Sequence, residues 1–100
     1  MTVSATDIRN ASDRLEGNVI RTPFVPAPAL SGLLGCDVSL KLENLQHTSS
    51  FKARGAFIAM QALSDAARQR GVITMSAGNH AQAVAYHARQ MGIPAVIVMP

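Results

Sequence analysis

The stretch Ser49 to Phe57, SSFKARGAF, sets one lysine, Lys52, between an aromatic residue and the start of a helical pattern. A lysine amine can attack an aldehyde and form a Schiff base, but only in its neutral form. An ordinary lysine, with a pKa near 10.4, is neutral about 0.04% of the time at pH 7. The positive end of a helix dipole disfavours an ammonium by about 0.3 to 1 kcal/mol, which is less than one pKa unit. Activation of Lys52 therefore needs burial beside Phe51 or capture as an imine. The plain alternative is a solvated lysine in a first helical turn.

A second stretch, SAGNHAQ from Ser76 to Gln82, has a different capability. A tight turn with one glycine, Gly78, opening a helix presents backbone N–H groups that lack intrahelical partners, and such groups bind anions such as carboxylates. Ser76 and Asn79 add side-chain hydrogen-bonding groups. The alternative here is an ordinary helix cap by Ser76 or Asn79. A dinucleotide site is disfavoured, because the turn lacks GxGxxG and the end of the next strand, Met99 and Pro100, has no acid for a ribose.

Other chemistries find little support. His47, His80 and His87 are not spaced three or four apart and have no cysteine or carboxylate at ligand spacing, so no metal site is expected. His47 and His87 read as surface residues. Paired carboxylates are absent, and Ser49 and Ser50 lack the glycines of a nucleophile elbow. The single Cys36 excludes an internal disulfide, suits a reducing compartment and has no histidine nearby to activate it.

With 100 residues, 48% apolar and 15% charged, the chain suits one modest globular unit. Its net charge of +3 comes from basic residues scattered between Arg9 and Arg89, not from a stripe interleaved with aromatics. This favours a pocket for one small anion over nucleic acid. No apolar run reaches the roughly 20 residues needed to span a bilayer, and the start has no signal pattern, so a cytoplasmic protein without membrane contact is expected.

The elements that must position the two stretches follow from patterning. Ser4 or Thr6 can cap a first helix, with Asp7 in its opening turn, Ile8, Ala11 and Leu15 on one face and Gly17 as a stop. Prolines at 23, 26 and 28 leave residues 18–28 as an extended connector. A short helical turn around Ala29 to Leu34 closes at Gly35. Asp37 to Glu43 alternates, which predicts a strand with one polar face, on which Lys41 and Glu43 read as a surface charge pair. Residues 44–50 are polar and turn-like.

From Ala53 a single helix is predicted, with Phe57, Met60, Leu63 and Ala67 on one stripe and Gly71 as its end. Val72 to Met75 and Ala95 to Met99 are apolar runs flanking a helical pattern from Asn79 to Met91, broken by Gly92 and Pro94. This predicts a βαβ unit of an α/β fold, its parallel strands covered on both faces. The ligand of such a unit belongs outside the carboxyl ends of the strands, where Ser76 to Asn79 lies.

KLENLQHTSSFKARGA, Lys41 to Ala56, together with SAGNHAQAVA, Ser76 to Ala85, resembles the threonine and serine dehydratases (ammonia-lyases). These are pyridoxal-phosphate enzymes of the tryptophan-synthase-β type, fold type II, and the similarity runs from about Asp7 to Pro100. The resemblance implies that Lys52 carries the cofactor as a Schiff base, that Phe51 lies against its ring and that Asn79 hydrogen-bonds its phenolic oxygen. It further implies that Ser76, Ala77, Gly78 and His80 hold the substrate carboxylate. The implied reaction is loss of water from threonine or serine to give a 2-oxo acid and ammonia, with Lys52 as both anchor and general base.

Related serine racemases carry a serine hydroxyl where this chain has Ala77, so elimination is preferred over racemisation. A non-catalytic carboxylate-binding or structural piece is the alternative of another class. Ser49 departs from a usual glycine and Ala83 from a common one. The family's glycine-rich phosphate loop and its ring-nitrogen partner have no counterpart here. The chain is therefore expected to be the amino-terminal portion of a larger, usually homo-oligomeric enzyme and inactive by itself. On this reading residues 1–51 belong to the large cofactor domain and residues 52–100 begin the small one.

Overall fold

The computed structural model describes residues 2–100. Helix α1, Ala5–Leu15, begins at a capping box: the Ser4 hydroxyl accepts the Asp7 N–H at 3.1 Å, and the Asp7 carboxylate accepts the Ser4 N–H at 2.8 Å. Of its expected apolar face, Leu15 is buried, Ala11 is half-buried and Ile8 is exposed.

The connector contains strand β1, Phe24–Pro26, which runs antiparallel to β2, Ser39–Lys41, pairing Phe24 with Lys41 and Pro26 with Ser39. Between them lies α2, Pro28–Leu34, which ends at a left-handed Gly35 as its sequence predicts. The alternation from Asp37 to Glu43 produces only this three-residue strand. It stops because Leu42 leaves the extended region, at φ −81° and ψ 68°, and opens a short 3₁₀ turn, Glu43–Leu45. A second turn, His47–Ser49, delivers the chain to α3, Lys52–Gln61.

The single helix expected from Ala53 to Arg70 is two. Helix α4, Asp65–Arg70, has its own cap, the Ser64 hydroxyl accepting the Ala67 N–H, and Ser64 is extended at ψ 160°. Arg68 reaches back to the carbonyls of Gln61 and Leu63, satisfying groups that the break leaves free. The Ser64–Asp65 pair is the signal of that break in the sequence.

Strand β3, Val72–Met75, helix α5, Asn79–Met91, and strand β4, Ala95–Val98, form the expected βαβ unit. Its strands are parallel, with Val72 opposite Ala95 and Met75 opposite Val98. Helices α3 and α5 pack together, with Ala53 and Ala56 of α3 and Ala83 and Ala88 of α5 buried. Met60, Val84 and Ile93 complete this core, with Val72 and Leu63 against it. The expectation that both strand faces are covered does not hold: Ile73, Met75, Val96 and Val98 are exposed. Within this chain, helix packing reaches the sheet from one side.

Candidate active site

Lys52 is the first residue of α3, following Phe51 at the helix cap. Its own N–H donates to the Ser50 hydroxyl at 3.3 Å, and Ser50 is buried, so the backbone at the lysine is tied to a fixed point. The side chain is exposed. Its Nζ makes no hydrogen bond among the described residues and stands 5.2 Å from the centre of the Phe51 ring. Phe51 is exposed as well, so of the two expected routes to activation, burial beside Phe51 is not met within this chain.

Phe51 and Lys52 line a cleft of about 470 Å³, whose walls are mostly apolar and include Ala56, Met60, Val72 and Val84. Thr74 and His80 line it too. The loop of residues 76–78 joins the strand of Thr74 to the helix of His80, at the carboxyl end of β3. The cleft thus brings Phe51, Lys52 and His80 together, whereas Ser76, Ala77, Gly78 and Asn79 are not among its lining residues.

Within that loop the donors divide. The Ser76 N–H continues the β ladder to the Val98 carbonyl at 3.0 Å, and the Gly78 N–H donates to the Ser76 hydroxyl at 3.2 Å. Neither amide is free. The N–H groups of Ala77, Asn79 and His80 have no protein partner among the described residues, the last two because they open α5. The ordinary cap by Ser76 or Asn79 is not formed: Gly78 takes the cap position with no side-chain hydrogen bond.

The other lysine is held differently. Lys41 Nζ donates to the Thr22 carbonyl at 2.6 Å, and Glu43 does not pair with it. The Glu43 carboxylate instead accepts a forked pair of bonds from Arg54, Nε at 2.9 Å and Nη2 at 2.7 Å, and a third from the Thr22 hydroxyl at 2.6 Å. The expected surface charge pair is therefore replaced by a partly buried ion pair that crosses from the loop to α3. Hydrogen bonding to Arg54 lowers the Glu43 carboxyl to about 2, against the opposing effect of burial and with help from Thr22. Gln46, also buried, clamps the connector by accepting the Ile20 N–H at 2.9 Å and donating to its carbonyl at 2.8 Å. From sequence Glu43 is paired with the wrong cation, Lys41, and Gln46 and Arg54 are given no role, because no local pattern links them to their partners.

His87, read from sequence as a surface residue, is buried. Its ring stands edge-on to Phe57 and Tyr86. Burial lowers its pKa; a hydrogen bond with the Ala53 backbone opposes this, and the nearby His47 adds to it. His47 is half-buried and stacks on Tyr86. No group of three or more histidines, cysteines and carboxylates among the described residues could hold a metal, and no helix is long and apolar enough to cross a membrane.

These features define an α/β protein in which a lysine amine, unpaired among the described residues, lines an apolar cleft beside the amino terminus of a helix. The family pattern described as pyridoxal-phosphate dependent enzyme matches residues 15–100, and the chain belongs to that family. It is 48% identical over 94 residues to an L-threo-3-hydroxyaspartate ammonia-lyase from Pseudomonas, covering 94% of this chain and 30% of that protein. It is also 48% identical over 98 residues to an L-threonine ammonia-lyase from Thermotoga maritima, covering 98% and 24% respectively. The solved structure of maize serine racemase superimposes with a TM-score of 0.90 at 39% identity, covering all of this chain and 31% of that one. The chain therefore spans between about a quarter and a third of the length of these proteins.

The donor set suits pyridoxal phosphate. Among the described residues the Lys52 amine has no hydrogen-bond partner, the Phe51 ring adjoins it, and the cleft that both residues line has mostly apolar walls. Lys52 and Phe51 would hold the cofactor, and the free amides at the start of α5 would meet an anionic group.

Proposed function

We propose that this chain is part of a pyridoxal-phosphate dependent ammonia-lyase that eliminates water from threonine or serine to give a 2-oxo acid and ammonia. The observation that carries this reading is the contrast between the chain's two lysines: Lys41 is engaged by a backbone carbonyl, whereas Lys52 is free and faces the cleft. Bound pyridoxal phosphate supplies an electron sink for the carbanion at the substrate α-carbon.

The chain's own residues supply binding, orientation and proton transfer. Lys52 Nζ would anchor the cofactor, and the same amine would serve as the base that takes the substrate α-proton. Phe51, which lines the cleft, would lie against the cofactor ring, and Asn79, at the start of α5, would supply a hydrogen-bond donor to it. The substrate carboxylate is received by the amides of Ala77, Asn79 and His80. Ser76 and Gly78 act one step removed, shaping the turn through their mutual hydrogen bond. Ala77 has no hydroxyl with which to return a proton to the opposite face of the α-carbon, which favours elimination over racemisation.

The test uses the natural full-length protein. Borohydride reduction with pyridoxal phosphate, followed by peptide mass mapping, should place the pyridoxyl group on Lys52, and Lys52→Ala should abolish 2-oxo acid and ammonia formation from threonine and serine. Label divided evenly between Lys41 and Lys52, or product formed by Lys52→Ala, would count against the reading. A D-amino acid accumulating faster than the 2-oxo acid would favour racemisation.

A further inference from the structure

The network around Glu43 has no part in the reaction just described, yet it meets the chain on both sides of Lys52. Glu43 begins the 3₁₀ turns that lead to the lysine, and Arg54 lies in the first turn of α3, two residues after it. We propose that the Glu43–Arg54 ion pair is a positioning brace for Lys52, which holds its amine toward the cleft while the same network keeps Lys41 occupied. This rests on the reading of Lys52 as the reacting lysine.

Three observations carry the inference. The forked contact, 2.9 Å and 2.7 Å, fixes angle as well as distance, so it orients the helical turn that bears Lys52. The segment it spans contains two successive non-glycine residues in the left-handed region, Thr48 at φ 59° and Ser49 at φ 56°. Each such residue is unfavourable by about 1 to 2 kcal/mol, so the segment would relax unless its ends were held. Finally, Thr22 ties Lys41 to the brace: its hydroxyl donates to Glu43 at 2.6 Å and its carbonyl accepts from Lys41 Nζ at 2.6 Å. Loosening the brace therefore frees Lys41 at the same time as it misplaces Lys52.

The measurement is the rate of pyridoxyl labelling and its partition between the two lysines in the natural full-length protein, read by borohydride trapping and peptide mass. Arg54→Lys keeps the charge but loses the fork, and Glu43→Gln keeps the shape but loses the charge. Each should slow labelling of Lys52 about tenfold, as expected for a displaced reacting group, and raise the share on Lys41. Thr22→Val removes one hydroxyl from the network and should shift the partition in the same direction by less; it serves if either charge variant fails to fold.

Arg14→Lys is the control for general loosening, because it disturbs the Arg14 Nε to Gln61 contact at the far end of α3. It should leave the partition unchanged. Wild-type rate and partition in a folded Arg54→Lys or Thr22→Val, or an equal effect in Arg14→Lys, would overturn the brace while leaving the lyase reading intact. Failure of the wild-type protein to label Lys52 would instead overturn the reading on which the brace rests.

Discussion

The Nζ of Lys52 stands 5.2 Å from the ring centre of its neighbour Phe51, a residue that is 61% exposed and takes no part in the core. The phenylalanine is thus available to the site at little expense to the fold. Phe51→Ala should leave the unfolding free energy within about 0.5 kcal/mol of wild type. It should weaken pyridoxal phosphate binding about 3- to 10-fold, the range for losing one aromatic stack. Titration of cofactor binding by absorbance checks this; an unchanged Kd would remove Phe51 from the site.

Ser49 occupies a left-handed conformation, φ 56°, where the resembled family usually has glycine. The sequence marks only the departure, whereas the backbone conformation supplies its cost. Ser49→Gly should raise stability by about 0.5 to 1 kcal/mol, since glycine meets no Cβ penalty there but has more freedom to lose on folding. Urea unfolding of the two proteins measures the difference, and a less stable glycine variant would show that the serine is compensated.

Gly71 was legible as a helix stop, but its surroundings were not. With φ 90°, a Cβ placed there would lie 2.5 Å from the Pro94 carbonyl oxygen and 3.0 Å from the Pro94 Cβ. That carbonyl is the acceptor for the Val72 N–H at 2.8 Å, which opens the parallel pairing. Gly71→Ala should therefore destabilise by about 2 to 4 kcal/mol, through backbone strain and overpacking together. Thermal unfolding reports it; a shift as small as that of a surface substitution would contradict the close approach.

Acid should weaken the fold in two steps. His87 has a folded pKa below its ordinary 6.5, because burial disfavours the imidazolium. As pH falls below 6.5 the unfolded chain takes up a proton that the folded chain refuses, and stability declines until the folded pKa is reached, by at most about 1.4 kcal/mol per pH unit. Glu43 acts lower: its contribution is complete above the ordinary 4.5 and is lost as pH falls toward about 2. Because the Arg54 side chain is 31% exposed, that contribution is discounted to about 1 kcal/mol. His87→Phe should flatten the upper step and Glu43→Gln the lower one in denaturation curves recorded across pH. An unaltered upper slope in His87→Phe would assign that step to another group.

Much of the frame was open to reading in the sequence because it depends on local rules. Asn79 to Met91 repeats at helical spacing between Gly78 and Gly92, and two short apolar runs flank it, so the βαβ unit and the loop at its carboxyl end follow from patterning. Pro28 and Gly35 bracket α2 in the same way. Lys52 stood out because an aromatic residue and a helix start adjoin it along the chain. The residues that govern its setting did not, since their partners are remote in sequence: Glu43 finds Arg54 and Thr22, Gln46 finds Ile20, and His87 is covered by Phe57.

Alternation suggested a longer strand and a surface charge pair, and periodicity ran two helices into one at Ser64, because both report only which face a side chain takes. By itself the sequence determined most of the elements and singled out Lys52 as the candidate amine, through periodicity, caps and turn residues that act over a few positions. Which lysine is left free, which amides of the loop are already engaged and which histidine is buried were decided only when folding brought distant donors to their acceptors, because a hydrogen bond or a buried contact depends on distance in space and not on separation along the chain.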